Sequence, residues 1–254
     1  MDERFFFGDD FMDYYNEFIN YTSKFNYPEC KFKVEHSKRV MDFAKSIAKS
    51  LNYSDEDEKL VSKASLLHDI GRFEQFNKYH TFIDNKSEYH GDIGVKVLIN
   101  NDLISKFTSN PYEKKVILRV CKYHGTMDKL TDSKEDEIVK IVRDSDKIDI
   151  LNSALNDNIK LDIEDDDISE NAIKAFKEKH LLSLESKKTK ADRFIVWVCF
   201  VFDFNFKYTF NYLKKTKLID KLILKYINKT NNINTKKVLK EMGKEVNKYI
   251  NEKI

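Results

Sequence analysis

Six residues of this 254-residue chain have side chains suited to holding a divalent metal, in the order His36, the adjacent pair His68 and Asp69, then His90, His124 and Asp146. Neutral imidazoles combined with carboxylates make a hard-to-borderline site, so one or two ions such as Mn, Fe, Mg, Co, Ni or Zn are the expected cofactor. Taken singly, a histidine on an apolar helical face is most often a hydrogen-bonded core residue. Four inward histidines and two inward carboxylates are a different matter. Together they would bury an implausible amount of polar surface unless a central cation bound them.

The elements that must aim these side chains are helices. Val40, Phe43, Ala44, Ile47, Ala48 and Leu51 follow the three-four spacing of one helical face, and His36 lies one turn before Val40 on it. Ser54, with Asp57 in the first turn, is expected to cap a helix whose Leu60, Val61, Ala64 and Leu67 point inward, with His68 one turn beyond Ala64. Gly71 is expected to stop that helix in the left-handed conformation, leaving His68 and Asp69 beside a loop open to solvent and substrate. Ser87 is expected to cap a helix bearing His90 and Gly94, whose missing side chain permits close packing. Pro111 suits the first position of a helix whose face runs through Ile117, Val120 and Cys121 to His124, with Gly125 as its stop. In the stretch 137–151 the face of Ile138 and Val142 continues to Asp146 and Asp149, whereas Asp144 lies about 200° from Asp146. Asp146 is therefore preferred as a ligand over Asp144.

Composition limits the alternatives. Lys and Arg (45) nearly balance Asp and Glu (43) for a net charge of +2, so no global basic field marks the chain as a nucleic-acid or membrane binder. The start mixes acids into its aromatics and does not resemble a secretory signal. Cys30, Cys121 and Cys199 have no paired spacing that would suggest a disulfide framework or a zinc ribbon, and a reducing cytoplasm is the expected compartment. The longest apolar run, 194–210, is interrupted by Asp203, Asn205 and Lys207 and reads as a buried helix rather than a membrane span. Six glycines, two prolines and no alternating strand pattern lead to an all-α expectation.

The ordered set of histidines and aspartates resembles the HD-domain superfamily of metal-dependent phosphohydrolases, which takes its name from the adjacent pair seen here as His68 and Asp69. The resemblance covers about residues 32–151 and includes HDIGR at 68–72 and DSDKIDIL at 144–151. It implies an HD-domain helical bundle with additional C-terminal helices. It also implies that His36, His68, Asp69 and Asp146 form a primary metal site, with Asp69 able to bridge to a second ion and His90 and His124 matching the extra histidines of two-metal members. Glu35, Asp92 and Asp149 are candidates to orient the imidazoles, although solvated or capping roles suit them as well.

The activity implied is hydrolysis of a phosphate ester or anhydride by a metal-activated water, with Asp69 as a catalytic residue and Arg72 and Lys147 as cations for the phosphoryl group. His80 and Lys122 are weaker helpers, and His180 reads as structural. The implied partner is a small phosphorylated molecule, with nucleotides the recurrent substrate class of the superfamily. Phe73, Phe76, Tyr79, Tyr89 and Tyr123 could stack on a base but are more often core or rim residues. The same ligand order resembles HD-fold mixed-valence di-iron oxygenases, a rival from another reaction class, and a non-catalytic nucleotide-binding module is a third reading. Residues 1–160 are read as the HD core with an N-terminal helical extension, and 161–254 as a helical extension packed on it in one compact unit. In that extension, IEDDD at 163–167 is an acidic run, and Phe176 and His180 share a helical face. The stretch 194–213 covers the core or, alternatively, forms a homodimer surface, and 235–254 is an amphipathic closing helix.

Overall fold

In the computed structural model, which describes residues 9–160, 165–183 and 186–254, helices alternate with turns and no strand occurs among the described residues. The opening eight residues of the aromatic and acidic start, and Ile163 and Glu164 of the acidic run, lie outside the described residues. Contacts divide the chain into one unit ending at Ser145 and a second beginning at Asp146.

The first unit is built from α1 (Asp9–Thr22), α2 (Pro28–Ser50), α3 (Asp55–Leu67), α4 (Gly71–Tyr79), α5 (His90–Ile99) and α6 (Pro111–Tyr123), with α7 (Lys134–Leu155) running through the division. α2 packs on α3 and α4, α3 on α6, and α5 on α4 and α6. The apolar stripes account for this packing. Val40, Ala44, Ile47 and Ala48 of α2 are buried, as are Leu60, Val61, Ala64 and Leu67 of α3. Ser54 accepts the backbone N–H of Asp57, and Asn110 accepts those of Tyr112 and Glu113 ahead of α6, where Pro111 holds the first turn. Cys30 and Cys121 are buried free thiols, and burial pushes both thiols upward, which leaves them inert as nucleophiles.

Two expectations about helix ends are corrected, at Gly71 and Ser87. Gly71 is not a left-handed stop; the backbone stays right-handed through His68 and Ile70, and Gly71 opens α4. Its missing side chain serves proximity instead, because a Cβ there would lie 2.2 Å from the carbonyl oxygen of His90 and 2.4 Å from the amide nitrogen of Gly94. Gly125 follows the end of α6 as expected, and it does so without a left-handed φ. A Cβ on it would stand 2.9 Å from Cε1 of His90. Ser87 does not cap α5, which begins at His90 with no side-chain cap; the Ser87 hydroxyl donates to the carbonyl of Ile83 and accepts from Gln75. In each case tertiary packing, invisible to local spacing, set the residue choice.

The second unit contains the rest of α7 followed by α8 (Glu170–Lys177), α9 (Lys190–Cys199), α10 (Lys207–Thr216), α11 (Leu218–Lys229) and α12 (Ile233–Glu252). The run 194–210 is not one helix. α9 ends at Cys199, a 3-10 turn covers Phe200–Asp203, and the chain is extended at Phe204 before α10, so Asp203 and Asn205 lie in the break and Lys207 opens α10. His180 likewise lies outside α8, exposed, and does not share a helical face with buried Phe176. Asp192 joins α9 to α8. It closes a capping box with Thr189 and also accepts from the backbone and hydroxyl of Ser169. Phe194 stacks on Tyr226 with ring centroids 4.6 Å apart, and α12 presents the amphipathic face expected of it, with Leu239, Met242, Val246 and Ile250 buried.

Candidate metal centre

Four segments of the first unit bring His36, His68, Asp69, His90 and His124 together, all buried. α2 supplies His36. The tight turn between α3 and α4 supplies the His68–Asp69 pair, closed by i to i+3 bonds from Ile70 to Leu67 and from Arg72 to Asp69. His90 is the first residue of α5, and His124 directly follows α6.

The two oxygens of Asp69 face different histidines. Oδ2 is 3.7 Å from Nε2 of His36 and 3.6 Å from Nε2 of His68, whereas Oδ1 is 3.4 Å from Nε2 of His124 and 3.6 Å from Nε2 of His90. Two overlapping groups result, His36–His68–Asp69 and Asp69–His90–His124, and in each the ligand atoms lie within 4.8 Å of one another. A carboxylate shared in this way is the geometry of a bridging ligand.

Hydrogen bonds on the far side of the rings settle which nitrogen points inward. Nδ1 of His68 is 2.6 Å from the carbonyl oxygen of Ser65, and Nδ1 of His124 is 3.0 Å from that of Val120 and 3.1 Å from that of Cys121. Carbonyl oxygens only accept, so both Nδ1 atoms carry the proton and both Nε2 atoms offer lone pairs in the neutral ring. Nδ1 of His90 sits 2.9 Å from Oδ2 of Asp84. Burial opposes ionisation of Asp84, but hydrogen bonding to His90 and the charge of Arg72 outweigh it and push its pKa down to about 2. Burial and the nearby Arg72 in turn push His90 down to about 4, against the pull of Asp84 and Asp69, so this ring is neutral at neutral pH.

These protonation states test the fit to a metal. Nε2 of His90 and Nε2 of His124 are 3.1 Å apart. With Nδ1 of each ring turned to its own acceptor, both Nε2 atoms face each other and the Asp69 carboxylate, a place where a cation would be ligated by all three. Burial opposes ionisation of Asp69 as well, but the neighbouring cations, Lys33 first and Arg72 with it, hold its carboxyl well below the usual range. The donor set of imidazole nitrogens around a carboxylate fits a divalent ion.

Three residues of this site lack a periodic signal in the sequence. Lys33, one turn before His36 on α2, places Nζ 2.6 Å from Oδ2 of Asp69. Asp84, on a 3-10 turn, accepts from Arg72, Gln75 and His90. Gln75 is fully buried and donates to Asp84, Ser87 and the carbonyl of Glu88. Spacing of three residues from His36 and from Arg72 could have pointed to Lys33 and Gln75; nothing local points to Asp84. It takes the orienting role suggested for Glu35 and Asp92, which instead pair with Lys38 and Lys122.

The remaining candidates are placed as follows. Arg72 bonds to Gln75, Asp84 and the carbonyl of Phe82, with Nε 3.4 Å from Oδ1 of Asp69. Asp146 is half-buried on α7, where Asp144 and Asp149 are buried. Lys147 pairs with Asp203 in the second unit. His80 is exposed and caps α4 in the left-handed conformation. Phe73 is core, and the Tyr89 hydroxyl is bound to the carbonyl of Lys122.

Residues 34–151, a little under half of the chain, match the family model described as the HD domain, and the match supports assigning this segment to the HD-domain superfamily. Proteins of that family are generally metal-dependent hydrolases. Neither curated proteins nor solved structures gave a match to the chain. Among the described residues no helix is long and apolar enough to cross a membrane.

Proposed function

We propose that the chain is a metal-dependent phosphohydrolase that cleaves a phosphate ester or anhydride, with nucleotides as the expected substrates. The observation that carries this reading is the division of the Asp69 carboxylate between two pairs of histidines. A divalent ion held there supplies Lewis acidity, acidifying water and neutralising charge on phosphoryl oxygens. The protein's own contribution is preorganisation. Asp69 stays ionised, while Asp84 and the carbonyls of Ser65, Val120 and Cys121 keep three imidazoles in the tautomer that offers Nε2 inward.

The resemblance adds Asp146 as a further carboxylate ligand. Arg72 is proposed as the phosphoryl-contacting cation, its guanidinium held in place by Asp84 and Phe82. Lys147 would have to leave Asp203 to serve in the same way.

The test is a screen of nucleoside mono-, di- and triphosphates, cyclic nucleotides and simple phosphomonoesters, each with several divalent ions, with and without dioxygen. Anaerobic release of phosphate, pyrophosphate or nucleoside is expected, and Asp69→Ala should lower it by about a hundredfold or more together with bound metal. Turnover that requires dioxygen would establish the oxygenase reading instead.

A further inference from the structure

We propose that Lys33 is a substrate-binding residue: its ammonium and the Arg72 guanidinium, which approach different oxygens of Asp69, receive the phosphoryl oxygens of the substrate. This rests on the phosphohydrolase reading and names the second cation of that same site. It leaves the metal ligands as they are, both the set of His36, His68, Asp69 and Asp146 and the additional His90 and His124.

A phosphoryl group spreads its negative charge over several oxygens and is best held by more than one charged donor. Residue order points to Arg72 and Lys147 for this task, yet Lys147 pairs with Asp203. Lys33 supplies the missing charge. It lies one turn before His36 on α2, with Nζ 2.6 Å from Oδ2 of Asp69, while Nε of Arg72 is 3.4 Å from Oδ1. The two cations therefore flank the one carboxylate common to both metal-apt groups.

Both cations have donors to spare. An ammonium carries three, and among the described residues the hydrogen-bond acceptor of Lys33 is Asp69. Nη1 of Arg72 is taken by Gln75, Phe82 and Asp84, which fixes the guanidinium, but its Nε is a buried donor without a hydrogen-bond partner. A buried donor left in that state is costly, and an incoming anion would complete it. Oδ2 has two lone pairs, so accepting from Lys33 does not bar it from an ion. The like charges gathered there are offset when a phosphoryl anion joins them.

Exposure places the pair on the approach to the cluster. The ligating histidines and Asp69 are at most 5% exposed, whereas the side chains of Lys33 and Arg72 are each 15% exposed, so an anion arriving from solvent meets the two cations first. Phe82 borders both. Its ring centroid is 5.7 Å from Nζ of Lys33, and its carbonyl accepts from Arg72.

The probe is inorganic phosphate, titrated by calorimetry into the Mn2+-loaded full-length chain, with elemental analysis of each sample and with KM and kcat measured on any phosphoester that the substrate screen returns. Lys33→Met should weaken phosphate binding by about tenfold or more and raise KM by a similar factor, with kcat changed less and bound Mn2+ at the wild-type level. Lys33→Gln should act in the same direction. Lys33→Arg, which keeps the charge, should recover most of the affinity, and Lys38→Met, which removes the lysine paired with Glu35, should leave it unchanged. Circular dichroism melts establish that each variant is folded. Unchanged phosphate affinity in both neutral variants would overturn the proposal, as would a loss that merely follows loss of Mn2+, a Lys33→Arg chain that binds no better than Lys33→Met, or a wild type that binds no phosphate. The two readings fail separately. Hydrolysis with phosphate affinity indifferent to Lys33 removes this inference alone, and phosphate binding that depends on Lys33 without turnover of any phosphoester keeps it and removes the proposed function.

Discussion

Asp84 shows how much of the centre depends on a residue that touches no ion. Its carboxylate faces Nδ1 of His90 at 2.9 Å while accepting from Arg72 and Gln75. In Asp84→Asn the amide oxygen can keep the Arg72 and Gln75 bonds only by turning its NH2 toward His90. Nδ1 must then accept, and the ring proton moves to Nε2, where a ligand lone pair is needed. The variant should bind Mn2+ about 10- to 100-fold more weakly, as measured by titration calorimetry, and the ring nitrogen shifts of His90 should report the exchanged tautomer. Affinity equal to wild type would mean that Asp84 does not set the orientation. The histidines themselves are legible in the sequence because each extends an apolar stripe. Asp84 is not, since it lies on a short irregular turn and meets His90 through space.

At the scale of elements, the crossing of α4 and α5 decides the width of the centre. Asp69 sits just before α4 and His90 begins α5, and Gly71 lets the two backbones approach. A methyl group at Gly71 would meet backbone atoms of His90 and Gly94, which cannot rotate away as a side chain tip can. Gly71→Ala should therefore cost about 2–3 kcal/mol in urea unfolding, in the upper range for overpacking. Gly243→Ala makes the contrast. In α12 the added Cβ would meet only Cδ1 of Ile223 at 3.5 Å, and the gain in helix propensity should stabilise the chain by up to about 1 kcal/mol. Equal effects at the two positions would show that backbone proximity at Gly71 is unimportant. Both glycines lie within helices, and the neighbouring helix distinguishes them.

For the whole molecule, both metal-apt groups lie within the first unit, so ion binding should stabilise that unit by mass action. At an ion concentration of about 100 Kd the gain is about 2.7 kcal/mol, which for a domain of this size corresponds to roughly 5–10 °C in thermal midpoint. Adding EDTA to the Mn2+-loaded chain should lower the midpoint by that amount in a melting scan; a midpoint indifferent to chelator would remove the metal from the account. The all-α class, the apolar faces of α2, α3 and α6, the cap at Ser54, Pro111 in the first turn of α6 and the inward histidines follow from residue order alone. They are consequences of helical periodicity and of side chains bonding to their own backbone a few residues away. The tertiary structure alone decided which oxygen of Asp69 faces which histidines, that Lys33 holds one of them, that Asp84 orients His90, and that Gly71 and Gly125 are small for want of space. Those are contacts between segments distant along the chain, set by how closely the helices approach, and no local spacing encodes that distance.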